Sequence, residues 1–132
     1  MTKPIFLLNF LLFFFSCTDS ETKHRTELQQ IASQLNELCP KRIDSETELS
    51  AIEVEDPNTL VYTYVLVNVP SNRVDTLEFY RLLWPGIISN IKVSPEFKKL
   101  RDHDTRIEYR YFDKEKRYIC RVVIRPEDYE GK

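Results

Sequence analysis

Glycine is almost missing from this sequence: of 132 residues, only Gly86 and Gly131 are glycine. Phosphate loops and dinucleotide fingerprints need several glycines at fixed spacing so that the backbone can approach a phosphate, and two isolated glycines cannot build one. Histidine is as scarce, with only His24 and His103. A metal centre would therefore lean on carboxylates. The sequence lacks a Gly/Ser-rich linker, a low-complexity tract and a concentrated basic face. The first two absences leave nothing to suggest a second domain, and the third argues against a nucleic-acid protein. A long hydrophobic run is lacking too. The longest, residues 5–15, holds eleven residues including Asn9, against the roughly 20 that a membrane-spanning helix needs.

That short run suits another purpose. Lys3 precedes it, and the small residue Ser16 follows, directly before Cys17. A positive start, an apolar core of about 7–15 residues and a small residue before the cut are the marks of a secretory signal. The stretch Phe13-Phe14-Phe15-Ser16-Cys17 resembles the lipobox of bacterial lipoproteins, with Phe14 and Phe15 where the usual pattern has leucine and a small residue. The resemblance implies that residues 1–16 are removed as a signal peptide. It also implies that Cys17 is the lipidation site, joined to diacylglycerol and acylated on its new N-terminus. Three chains anchor a protein stably where one does not. An ordinary signal cut elsewhere, or an uncleaved anchor, is the alternative.

The remaining 116 residues suit one domain with one core. We expect a lipidated Cys and tether at 17–22, a single domain at 23–126 and a tail at 127–132. Charge is divided along the chain. Residues 18–72 carry ten acidic and four basic side chains, and residues 73–132 carry eleven and fourteen. With Cys17 lipidated, Cys39 and Cys120 remain. In an oxidising envelope they could form a disulfide closing a loop of about 80 residues, and the alternative is two buried free thiols. Spacing does not decide between them.

Periodicity places the elements. Leu28, Ile31, Leu35 and Leu38 recur at helical spacing over 22–38, and Cys39-Pro40 ends that helix. Residues 49–54 and 59–69 read as strands of a hairpin around the turn Asp56-Pro57-Asn58. Asp75 caps a second helix carrying Leu77, Tyr80, Trp84 and Ile88, which Pro85-Gly86 should kink or interrupt. A short helix over 95–101 follows. Residues 105–112 and 117–125 form a second hairpin whose turn, Asp113 to Lys116, lacks the glycine such turns favour. The expected fold is α+β: a four-stranded antiparallel sheet with helices on one face, in the order α-β-β-α-β-β. Both hairpins carry a Tyr-x-Tyr strand, Tyr62/Tyr64 and Tyr109/Tyr111. This suggests either a diverged duplication or chance.

Candidates for chemistry are few. Asp102-His103-Asp104 offers an imidazole between two carboxylates, but such a cluster is more often a solvated turn before a strand, and His24 near the tether is a weaker candidate still. No metal or cofactor is expected. Cys120 sits mid-strand beside Tyr118 and Val122, a buried and inert setting for a thiol, so a Cys120–His103 nucleophile pair is not expected either. The richest feature is an arginine strip on the second hairpin: Arg106, Arg110, Arg117, Arg121 and Arg125. Surface ion pairs across the strands would explain it. Arginine beside apolar groups is also what interface hot spots use, which makes the strip a candidate binding face.

The segment from Cys39 to Leu49, with Pro40, Asp44 and Thr47 ahead of the Tyr-x-Tyr strands, resembles a loose group of small exported bacterial domains without an established activity. The Asp-x-x-Gly turn expected in the last hairpin is lacking. The expected function is a non-enzymatic, lipid-anchored envelope protein that binds another envelope macromolecule. A second copy of the chain is a possible partner. The alternative is a small apolar-ligand carrier, with a pocket between helices and sheet lined by the apolar residues around Trp84 and the Tyr-x-Tyr strands.

Overall fold

The computed structural model describes residues 18–131. The proposed signal and Cys17 lie outside the described residues. No helix among the described residues is long and apolar enough to cross a membrane.

Among the described residues nine elements follow one another: α1 (Thr18–Asn36), β1 (Lys41–Arg42), β2 (Thr47–Glu55), β3 (Thr59–Leu66), α2 (Thr76–Val93), α3 (Lys98–Asp102), β4 (Arg106–Asp113), β5 (Tyr118–Ile124) and α4 (Pro126–Glu130). Short 3-10 turns at Ser71–Arg73 and Pro95–Phe97 precede α2 and α3. The strands form one sheet in the order β1-β2-β3-β4-β5.

This corrects the expected four-stranded antiparallel sheet. The described residues form five strands, and β3 pairs parallel to β4, with Tyr62 opposite Tyr109 and Tyr64 opposite Tyr111. The hairpins are as expected, β2 with β3 and β4 with β5, both antiparallel. What differs is how they join. The connection from β3 to β4 carries α2 and α3 back along the sheet, so β4 starts at the end where β3 started, and a helical crossover of this kind makes neighbours parallel. The fifth strand is the two-residue β1, too short to show a period.

β1 covers β2 only at Leu49 and Glu48. Beyond it the Ile52 backbone would be an open edge. The Asn36 side chain closes it, accepting from Ile52 N–H at 2.8 Å and donating to the Ile52 carbonyl. This meets the need of an edge strand for partners and fixes the end of α1 to the sheet.

Helix α2 runs unbroken through Pro85. The proline removes one backbone bond, but Ile91 is fully buried and Leu83, Trp84, Ile87 and Ile88 pack on the core, so tertiary burial outweighs the break. Asp75 caps the helix as expected, accepting from Leu77 and Glu78 N–H at 3.0 Å each. Residues 126–130 form α4, which buries Tyr129 and lets its hydroxyl donate to the Thr105 carbonyl at 2.9 Å.

Candidate functional site

The alternation of β3 and β4 sends Leu60, Tyr62, Tyr64, Ile107, Tyr109 and Tyr111 to the face that α1 and α2 lie on. The parallel register sets the tyrosines side by side. Their rings stack with centroids 5.2 Å apart for Tyr62 and Tyr109, 6.1 Å for Tyr64 and Tyr109, and 5.3 Å for Tyr64 and Tyr111. Phe79 of α2 meets Tyr111 edge-on at 5.1 Å. Aromatic pairs of this kind contribute about 0.5–1.5 kcal/mol each beyond their burial.

These rings floor an open groove of about 740 Å³. One wall is α1, through Ile31 and Leu35, extended by Leu38 just past its end, and the other is α2, through Phe79, Leu83 and Ile87. Leu38 and Ile43 stand at its mouth, 59% and 51% exposed. A second hollow of about 560 Å³ continues it, sharing Asp44, Thr47 and Phe79 and adding exposed Leu82. The charges along both are mainly acidic: Asp44, Glu46, Asp75, Glu78 and Glu96, against the single cation Arg73.

The floor is polar at its tips. Among the described residues, no group hydrogen-bonds the hydroxyl of Tyr62, Tyr64, Tyr109 or Tyr111, and none of these oxygens is sealed from the groove. Tyr129, by contrast, satisfies its hydroxyl internally. Burial pushes the phenols above the ordinary tyrosine range, Tyr64 to about 12 and Tyr62, Tyr109 and Tyr111 likewise upward. All four are therefore neutral and able to donate or accept. The groove offers apolar walls, a row of free hydroxyls and an acidic rim, which suits binding. None of the chemistry on its floor is nucleophilic at neutral pH.

The other face of the sheet holds the arginine strip, and there the chain meets most of its own charge. Glu108 is only 3% exposed. Arg110 Nε donates to it at 2.8 Å and grips Glu55 bidentately through Nη1 and Nη2 at 2.8 and 2.7 Å. Arg106 and Arg121 stand 3.6 and 3.7 Å from the Glu108 oxygens. Arg117 binds Asp113 and Glu115 at 3.0 Å each. Arg125 starts α4, its backbone N–H donating to Asp128 at 2.8 Å. The structure thus gathers Arg106, Arg110 and Arg121 around one carboxylate and places Arg117 and Arg125 apart from them.

Other candidates are dispersed. Cys39 and Cys120 are both free thiols; Cys39 Sγ donates to the Leu35 carbonyl at 3.5 Å, and Cys120 is buried in β5. Trp84 stacks on Tyr80 at 5.6 Å and does not line the groove. His103 is approached by Glu27, not by Asp102, which pairs with Lys98. The hollow over the Tyr-x-Tyr strands is expected from the sequence, but its walls come from Ile31, Leu35, Phe79, Leu83 and Ile87 and not from Trp84, because the meeting of α1 and α2 over β3 and β4 depends on the parallel register.

Solved structures share this fold. A candidate secreted protein from Pseudomonas aeruginosa superposes with a TM-score of 0.71 at 10% identity, covering 86% of this chain and 98% of its own. The pilotin EpsS from the Vibrio vulnificus type 2 secretion system gives 0.65 at 11% identity, over 82% and 93%. The pilotin AspS from the Vibrio cholerae type II system gives 0.62 at 10% identity, over 82% and 94%. At such identity the likeness is one of fold. No curated protein matches the sequence. Residues 22–120, nearly the whole described domain, match the model of a domain of unknown function, DUF8479, and the chain belongs to that family.

Proposed function

We propose that this chain is a non-enzymatic, lipid-anchored protein of the bacterial cell envelope, and that it holds a basic amphipathic segment of another envelope protein in the groove between α1 and α2. The observation that carries this reading is the groove itself: apolar walls, four unpartnered phenol hydroxyls on its floor and an acidic rim. An amphipathic segment laid in a groove buries its apolar side and leaves its charges at the rim, and this rim favours Lys and Arg. Two of the neighbours in fold are pilotins of secretion systems, which supports a helper role beside an envelope machine. Cys17, by its resemblance to the lipobox, is the anchor to the membrane.

The groove is open along its length and has exposed leucine and isoleucine at its mouth, which fits a macromolecular segment better than an enclosed small apolar ligand. The arginine face is the weaker docking surface, because Glu55, Glu108, Asp113 and Glu115 already meet most of its charge.

The test is co-isolation of the crosslinked partner from native envelopes. Leu38→Arg, at an exposed site, should abolish it with the fold intact, whereas Arg121→Glu should leave it unchanged. The reverse pattern would move the interface to the other face. Loss of membrane fractionation in Cys17→Ser tests the anchor separately.

A further inference from the structure

We propose that His24, Glu27 and His103 form a site for a divalent transition metal, best matched to Zn²⁺. His24 and Glu27 lie one turn apart on α1, and His103 follows α3. One ligand atom from each lies within 4.8 Å of the other two. His103 Nε2 is 3.5 Å from Glu27 Oε2, and the two imidazoles stack with centroids 4.3 Å apart and planes 19° from parallel.

The hydrogen bonds around His24 fix its tautomer. The Asn58 amide nitrogen donates to the carbonyls of His103 and Asp104 at 3.1 and 3.0 Å, which leaves the Asn58 oxygen facing His24. That oxygen can only accept, so His24 Nε2 carries the proton and Nδ1 holds a free lone pair. His24 Nδ1 is buried and has no partner among the described residues. In metal-binding histidines one ring nitrogen donates to an oxygen that orients the ring and the other is left for the metal, and His24 has an orienting oxygen on Nε2 and an unpartnered Nδ1. The contact between Glu27 and His103 accounts for those two residues but leaves His24 Nδ1 orphaned, a costly state for a buried acceptor.

The donor set selects the metal. Two imidazoles with a carboxylate suit Zn²⁺, whereas the hard cations Mg²⁺ and Ca²⁺ take oxygen ligands and gain little from imidazole. In tetrahedral zinc sites the ligand atoms stand about 3.4 Å apart, following from metal–ligand distances of about 2.0–2.2 Å. The His103–Glu27 distance already meets this; the His103 ring, stacked on His24 with its side chain 44% exposed on a turn, has only to rotate for both imidazoles to address one ion. The fourth position is left for water or for a donor from a partner. A bound ion would clamp α1 to the turn before β4, and α1 is one wall of the groove.

Zn²⁺ titrated calorimetrically into the full-length chain in detergent, after chelation, tests this, with Co²⁺ absorption as a second readout. We expect one ion per chain and intense tetrahedral cobalt bands. The melting temperature should rise with Zn²⁺. His103→Ala and Glu27→Gln, both at accessible positions, should weaken binding at least about tenfold and remove the thermal shift. Cys39→Ser should change neither. Absence of binding at millimolar Zn²⁺, or equal affinity in the His103 and Glu27 variants, would overturn the proposal.

Discussion

Asp113 shows how a single residue replaces a missing glycine. The turn after β4 places Lys116 at φ 63°, a left-handed conformation that a glycine would adopt without strain. Here Asp113, fully buried, gathers the donors that hold the turn: N–H of Glu115 and Arg117 on Oδ1 at 2.9 Å each, and N–H of Ser71 and Arg117 Nε on Oδ2 at 3.0 Å each. Burial alone would raise its pKa, but the donors from Arg117 and Ser71 prevail and hold the carboxyl well below the usual range. The unfolded chain therefore takes up the proton first as acid is added. The contribution of this group is complete above about pH 4 and is lost as pH falls towards the native pKa. Asp113→Asn turns an amide donor towards donors already present. We expect a lower melting temperature at pH 7 and a wild-type-to-variant difference that shrinks from pH 5 to pH 3. A difference that is constant over that range would contradict the electrostatic account.

Among the elements, the strand pair β3–β4 shapes the site. Tyr62/Tyr64 lie on the second strand of one hairpin and Tyr109/Tyr111 on the first strand of the other, which are not equivalent places in a duplicated unit. Their likeness matches the pairing of neighbours, each ring stacking on the next. If their hydroxyls serve a ligand and not the fold, Tyr109→Phe should leave the melting temperature nearly unchanged, because it breaks no internal hydrogen bond, and should weaken partner binding about tenfold, the worth of one or two lost hydrogen bonds. A marked loss of stability with intact binding would reassign the row to the core. Both hairpins, the Asp75 cap and the helical stripe of α1 are legible in local pattern, since each rests on spacing within one segment. The parallel joint and the walls of the groove are not. They depend on where α2 and α3 carry the chain, and nothing within Thr59–Leu66 or Arg106–Asp113 records which neighbour the strand will take. The burial of Glu108 is equally hidden, because an alternating Arg-Glu-Arg strand reads as a solvated face until Arg121 of the next strand joins Arg106 and Arg110 around the carboxylate.

At the scale of the whole molecule, the two faces of the sheet differ in what they leave unmet. The outer face collects arginines around carboxylates of the same chain, so most of its charge is spent internally. The helical face leaves free hydroxyls, exposed Leu38, Ile43 and Leu82, and an acidic rim. An envelope helper that captures a partner by the groove needs that asymmetry. The most direct test is site-specific photo-crosslinking in the native envelope, with the crosslinking side chain placed at Leu38 in one strain and at Arg121 in another, and the attached peptide mapped by mass spectrometry. We expect one dominant adduct from Leu38, on an amphipathic peptide bearing Lys or Arg, and little from Arg121. Adducts mainly from Arg121, or only lipid at Leu38, would contradict capture by the groove.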